Sequence, residues 1–169
     1  LGRYVAYHGQ AANADNQNIR CNGITQSGST LTLSTSEQKI FAGTADLDPY
    51  ARGQACGAVA LGSDSCLIVA PEVGTGNVFK LVKYSGGTNN LTIDSTFNDG
   101  DTTNYIDRFP RFAVLASSGS VYTVASTGLT RSGAKPYARV WDIDTAAGSA
   151  TSRGILYPNG LIGAGAAQT

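Results

Sequence analysis

Apolar residues in this chain come in short runs, and each run is cut off by a cluster of Gly, Ser, Asn and Asp. Over residues 57–96 the runs GAVAL, CLIVA, VFKLVKY and LTIDST are separated by GSDS, PEVGTGN and SGGTNN. Short apolar runs bounded in this way read as β-strands, because Gly, Asn, Asp and Ser favour or tolerate the backbone angles of tight turns. The same reading over residues 112–154 yields FAVLAS, VYTVAS, YARVWDID and SATSR. No segment sustains helical periodicity, so the pattern predicts an all-β chain with very little helix.

The runs repeat. GAVALGSDSCLIVAP (57–71) aligns without a gap on FAVLASSGSVYTVAS (112–126), placing Ala58 on Ala113, Val59 on Val114, Ser65 on Ser120, Val69 on Val124 and Ala70 on Ala125, with Tyr50 on Tyr105 upstream. Downstream, NVFKLVKYSGGTNNLTIDST (77–96) resembles NIRCNGITQSGSTLTLSTS (18–36) and, more loosely, YARVWDIDTAAGSATSRG (137–154). Internal repetition of this kind marks stacked modular units. It divides a single domain, 1–169, into a repeat over about 1–49 plus 161–169, a second over about 50–104 and a third over about 105–160.

Within each unit the strands differ in a regular way. The first is rich in Gly and Ala, as close backbone approach requires; the second is apolar on both faces, as a strand covered on both sides would be. The fourth is rich in Thr and Ser, like an exposed outer strand. Small inside, apolar in the middle and polar outside is the gradient of a propeller blade. The first unit lacks an opening strand, because GRYVAY corresponds to CLIVA and VYTVA. With Ala6 on Ala125, LIGAGAAQT (161–169) supplies one: Ile162 takes the place of Phe112, Ala166 that of Ala116 and Thr169 that of Gly119. The expected architecture is therefore three four-stranded, β-propeller-like blades whose termini close a shared sheet, within one chain or between chains, which removes exposed strand edges. A β-trefoil, whose three units close on themselves, is the alternative.

A length of 169 residues is enough to bury one core. The 12 basic and 12 acidic residues cancel and charged residues are only 14%, so no basic patch points to nucleic acid or an anionic membrane as a partner. No apolar run is long enough to span a bilayer as a helix. The hydrophobic share of 41% is that of a globular chain and not a disordered one. The absence of Met and the start at Leu1 suggest a processed chain or a piece of a larger one. The three cysteines, Cys21, Cys56 and Cys66, are an odd number without a CxxC pair, so they read as small buried thiols and not as a disulfide framework or a zinc site.

Candidate chemistry is sparse. The one histidine, His8, has no G-x-S-x-G elbow to serve. Glu37 and Glu72 are the only glutamates, and aspartates such as Asp46, Asp48, Asp99 and Asp101 fall in loops, where their side chains commonly bond their own backbone. In STFNDGDTTN, Asn98, Asp99 and Asp101 bring oxygen ligands close enough for a weak candidate Ca²⁺ cradle, without the spacing of an EF-hand. YARVWDID places Tyr137, Arg139 and Trp141 on one face of a strand, a combination that can stack on a sugar ring and reach its hydroxyls. The favoured reading of the same stretch is structural, with Trp141 as an inter-blade core residue and Arg139 and Asp142 as a structural polar pair.

RFAVLASSGSVYTVASTGLTRSGAKPYARVWDIDTAAG (111–148) resembles the propeller-type repeats of bacterial surface and secreted proteins and of phage tail proteins. The resemblance is carried by Ala113, Leu115, Gly119, Val124 and Ser126, then by Tyr137, Ala138, Arg139, Trp141 and Asp142. It implies a non-enzymatic structural or adhesive module, extracellular or on a virion surface, such as a tail fibre or adhesin. Its partners would be copies of itself or adjoining structural subunits, with a surface glycan also in view, no cofactor and no catalytic residue. A carbohydrate-binding lectin is the alternative and a glycan hydrolase a more distant one.

Overall fold

The computed structural model describes residues 2–11, 17–41, 56–72, 75–84, 90–102, 106–130 and 136–157. They form twelve antiparallel strands in three sheets and, among the described residues, no helix. Sheet A contains β1 (Gly2–Ala11), β2 (Gln17–Ser27), β3 (Thr30–Leu33) and β4 (Gln38–Phe41). Sheet B runs in order through β5 (Gly57–Ala60), β6 (Ser65–Glu72), β7 (Gly76–Tyr84) and β8 (Leu91–Asn98). Sheet C runs through β9 (Ile106–Ser118), β10 (Val121–Thr130), β11 (Pro136–Asp144) and β12 (Ser149–Leu156). The all-β expectation holds, and the strands expected over 57–96 and 112–154 form. The segment 161–169 lies outside the described residues, as do Tyr50, Asp46 and Asp48.

Sheets B and C are four-stranded meanders, whereas sheet A has three strand positions. β3 pairs with residues 24–27 of β2 and β4 with residues 19–21 of the same strand, so the two make one interrupted outer strand. The break is held by Ser34, whose N–H donates to Gly23 O at 2.8 Å and whose hydroxyl accepts from the Ser36 N–H at 3.0 Å. No described strand pairs with the far edge of β1.

The sheets stack face to face with B in the middle. One cluster joins Cys21 of sheet A to Cys66, Ile68, Ala70, Val78, Val82 and Leu91 of sheet B, with Val5 packed against it. A second joins Leu67, Val69, Phe79, Leu81 and Phe97 of sheet B to Val124, Tyr137, Trp141 and Ile143 of sheet C. β6 is thus covered on both faces, with Leu67, Ile68 and Val69 fully buried, which is why its sequence does not alternate. The outer strands β3 and β12 are exposed along nearly their whole length, as their Thr and Ser content predicts.

First strands approach closely. A Cβ on Gly57 of β5 would lie 2.3 Å from Cε2 of Phe112 in β9, so only glycine lets the two inner strands meet there. Tyr84 ties sheet B to sheet A: its hydroxyl donates to the carbonyl of Tyr4 and accepts from the N–H of Ile24 at 3.1 Å.

The repeat is not reproduced strictly. Val5, Val69 and Val124 are equivalent in the sequence alignment. Val5 faces sheet B and Val69 faces sheet C, so units stacked in one sense would carry Val124 on the far side of sheet C. Val124 instead faces back toward sheet B. The hairpins differ accordingly. In sheet B pairing stops at Ala60 and Cys66, and residues 61–65 form a longer turn closed by the Leu61 N–H on Ser65 O at 2.9 Å. In sheet C pairing runs to Ser118 and Val121, with a register shift between Thr123 and Val124. An odd-numbered slip of strand position turns every side chain to the opposite face.

Candidate functional site

The densest polar cluster lies where the loop after β8 meets β7 and β11. Its centre is Asp99, whose side chain is fully buried. The start of β7 grips this loop from below. Asn77, itself fully buried, donates from its backbone N–H to Asp99 Oδ1 at 3.2 Å and from Nδ2 to Oδ2 at 2.8 Å, and its carbonyl accepts from the Asp99 N–H at 3.3 Å. The loop bends on itself through Asx turns: Asn98 Oδ1 accepts from the Gly100 N–H at 3.0 Å and Asp99 Oδ1 from the Asp101 N–H at 3.2 Å.

Gly76 makes this contact possible. It has φ of +94°, and a Cβ there would stand 2.6 Å from the Asp101 carbonyl oxygen, a backbone atom that cannot rotate away. Gly76→Ala is expected to destabilise the protein by about 2–3 kcal/mol through strain and overpacking together. Urea unfolding would measure it, and a loss under about 0.5 kcal/mol, the scale of an ordinary surface substitution, would show that the loop is not seated on Gly76.

From the opposite side sheet C supplies Arg139 and Trp141, which share a face of β11 with Tyr137 and Ile143 because alternate residues point the same way. Trp141 Nε1 donates to Asp99 Oδ2 at 3.1 Å. The Arg139 guanidinium lies 3.4 Å from Asp99 Oδ2 and 3.0 Å from Asp101 Oδ2, donates from Nε to Ser152 Oγ at 3.1 Å, and sits 5.2 Å from the centroid of the Trp141 ring. Tyr137 shares a 3.2 Å hydrogen bond with Ser126, and burial pushes its phenol well above the ordinary range despite the opposing Ser126 and Arg139 effects.

The sequence-derived candidates are therefore brought together, and in a closed place. Tyr137, Arg139 and Trp141 do occupy one face, but they are 3%, 3% and 0% exposed, so the face meets sheet B and not solvent. Asp99 and Asp101 do converge, around a guanidinium. Arg139 does not pair with Asp142, which is a correction to the sequence reading. Asp142 lies on the other face of β11, where it accepts from Arg153 Nε at 2.8 Å and Thr123 Oγ1 at 2.9 Å. The strand alternation that joins residues 137, 139 and 141 necessarily sends residue 142 away from them. Hydrogen bonding by Arg153 first, then Thr123, holds the Asp142 carboxyl below its ordinary value.

Sequence reasoning missed Asn77. Nothing in NVFKLV marks it as a partner of a loop twenty-two residues downstream. The visible hint was the positional coincidence of GN opening β7 and NDGD closing β8, which an antiparallel hairpin must place at the same end.

Elsewhere, His8 lies in β1, in register with Arg20 of β2, and Arg20 forms an ion pair with Glu37. Among the described residues no group of three His, Cys, Asp or Glu side chains could hold a metal ion. Cys21, Cys56 and Cys66 are free, buried and in one cluster between sheets A and B. Burial is the main cause that pushes each thiol up to about 12, so the nucleophilic thiolate is scarce at neutral pH. All three are expected to react with an aromatic disulfide reagent only as the protein unfolds. A thiol titrating rapidly in the native state would refute this.

No family model, curated protein or solved structure matches the chain, so the meaning of this site rests on its own geometry.

Proposed function

We propose that the chain is a non-enzymatic structural or adhesive module of an extracellular or virion appendage, built as three β-propeller-like blades and working through its surfaces and neighbours. The observation that carries this reading is the Asp99 cluster. The residues best suited to grip a ligand, Trp141, Arg139 and Asp99, are turned onto one another across the junction of sheets B and C. A cluster so arranged ties two sheets together, which is what a rigid scaffold requires, and its polar groups are satisfied by one another.

Propeller-type stacking in preference to a trefoil is supported by the local four-stranded meanders and by inner strand meeting inner strand at Gly57 and Phe112. It is supported also by outer-strand contacts of β12 with β8 and of β8 with β4.

The test compares Trp141→Ala and Asp99→Ala in stability and in binding to a glycan array. A scaffold predicts a large loss of stability and no glycan whose binding depends on Trp141. A variant that stays fully stable while losing a specific glycan would replace this reading with the lectin one.

A further inference from the structure

We infer that the outer face of sheet A, the face turned away from sheet B, is the contact surface for a second copy of the chain, which docks the same face against it about a two-fold axis. The inference gives the scaffold reading a partner and rests on that reading for the role of the contact.

Alternate residues of a strand share a face, so the ladder fixes what sheet A presents outward. Cys21, buried with Val5 against sheet B, marks the inner face. Tyr4, Ile24 and Leu33, side by side across β1, β2 and β3, lie on the outer one. The adjacent rows of that face bring Gly2, Gln26 and Leu31 on one side and Ala6 and Asn22 on the other. Tyr4, Leu31 and Leu33 are 50%, 64% and 59% exposed. Large apolar side chains grouped in this way form a patch, unlike apolar residues scattered singly over a surface.

The patch is built to lose water cheaply. None of these positions carries a charge. The Tyr4 hydroxyl donates to Gln26 Oε1 at 2.7 Å, and Gln26 Nε2 donates to the Gly28 carbonyl at 3.0 Å. The polar groups at its centre therefore keep partners when solvent leaves, which removes most of the usual cost of burying them. Arg20 lies four residues from Ile24 along β2 and pairs with Glu37, so a contact centred on Ile24 leaves this ion pair at the polar rim.

The other end of the stack decides which surface of a second copy fits. The outer face of sheet C carries Asp142, held by Arg153 and Thr123, and Asp144, which accepts from Ser120 Oγ at 2.9 Å. Laying sheet A on that face would desolvate charges against apolar side chains that offer them no partner. A second sheet A presents a matching uncharged face, and one patch used by both copies makes a contact that closes at two. Sheet A is three strand positions wide, and β1 is ten residues long, a footprint of about 14 Å by 34 Å. With its side chains such a footprint brings the area buried on two copies to about 1,200 Å², the lower end for specific interfaces.

The test is mass by sedimentation over a concentration series reaching about 100 µM, above the micromolar dissociation constant expected of a contact this small. It compares the wild-type chain with Leu33→Glu, Leu31→Lys and Leu156→Glu, each checked for native circular dichroism. All three replace exposed side chains, and Leu31→Lys repeats the test independently of Leu33→Glu. The expected wild type reaches twice 17.4 kDa and grows no further. Leu33→Glu and Leu31→Lys associate about a hundredfold more weakly, because like charges then meet across the axis. Leu156→Glu, at a position 69% exposed on sheet C, dimerises as the wild type does. A wild type monomeric at every concentration would overturn the inference, and so would masses rising beyond two copies, which would mean that sheet A docks on a different surface. Dimers that survive both sheet A substitutions would overturn it as well. Mass involves no ligand, so failure here leaves the scaffold reading to stand or fall on the Trp141 comparison.

Discussion

Asp99→Ala is expected to lower the unfolding free energy by about 3–5 kcal/mol, the range seen when one partner of a buried ion pair is removed. The carboxylate accepts from Asn77 Nδ2 at 2.8 Å and from Trp141 Nε1 at 3.1 Å, and it faces the Arg139 guanidinium at 3.4 Å. Truncation leaves an indole N–H, an amide and part of a guanidinium buried without that acceptor. Asp101, at 3.0 Å and with a side chain 23% exposed, still faces Arg139, so the loss should fall toward the lower end of the range. Chemical denaturation at neutral pH measures it.

A double-mutant cycle with Arg139→Met separates the pair from its surroundings. If Arg139 is destabilising once Asp99 is gone, the double variant will be more stable than the sum of the single losses predicts, with a coupling of about 1–3 kcal/mol. Strict additivity would show that the two side chains do not act as a unit.

Trp141→Ala carries the other large effect, about 3–5 kcal/mol from the cavity it opens. The indole is fully buried, meets Phe79 edge-on at 5.6 Å between centroids with an interplanar angle of 75°, and lies 6.3 Å from Phe112. Trp141→Phe keeps much of this packing and loses the Nε1 donor to Asp99, so its cost should be about half as large, near that of a hydrogen bond to a charged group together with a partial cavity. Thermal or urea unfolding of the three proteins gives the order wild type, Phe, Ala. A Trp141→Ala protein as stable as wild type would mean that the junction between sheets B and C is not built on this ring.

Much of the fold was legible because its signals are local. Turn clusters such as GSDS and SGGTNN punctuate strands wherever they occur, and the doubly buried β6 shows itself as CLIVA with no polar alternation. The Thr- and Ser-rich runs that became β8 and β12 were readable as outer strands for the same reason. The grouping of Tyr137, Arg139 and Trp141 followed from the two-residue period of a strand, a property of backbone geometry alone.

The destination of that face was not legible. Whether a Tyr, an Arg and a Trp on one strand meet a sugar, a metal-bound loop or another sheet depends on what lies opposite, and the opposite wall comes from Asn77, Asp99 and Asp101 in a different sheet. Arg139 illustrates the limit: sequence proximity suggested Asp142, and the strand pleat excluded it.

The orientation of the third unit carries the same lesson. The gapless match of 57–71 on 112–126 is real in the sequence, but the two segments use turns of different length and a different ladder register. By itself the sequence determined strand class, strand order and the alternation of faces, because hydrogen-bonding geometry and side-chain period are set residue by residue. Only the tertiary structure decided which face Val124 presents and which carboxylate Arg139 meets, because each depends on long-range packing between sheets that a few residues of slip would change.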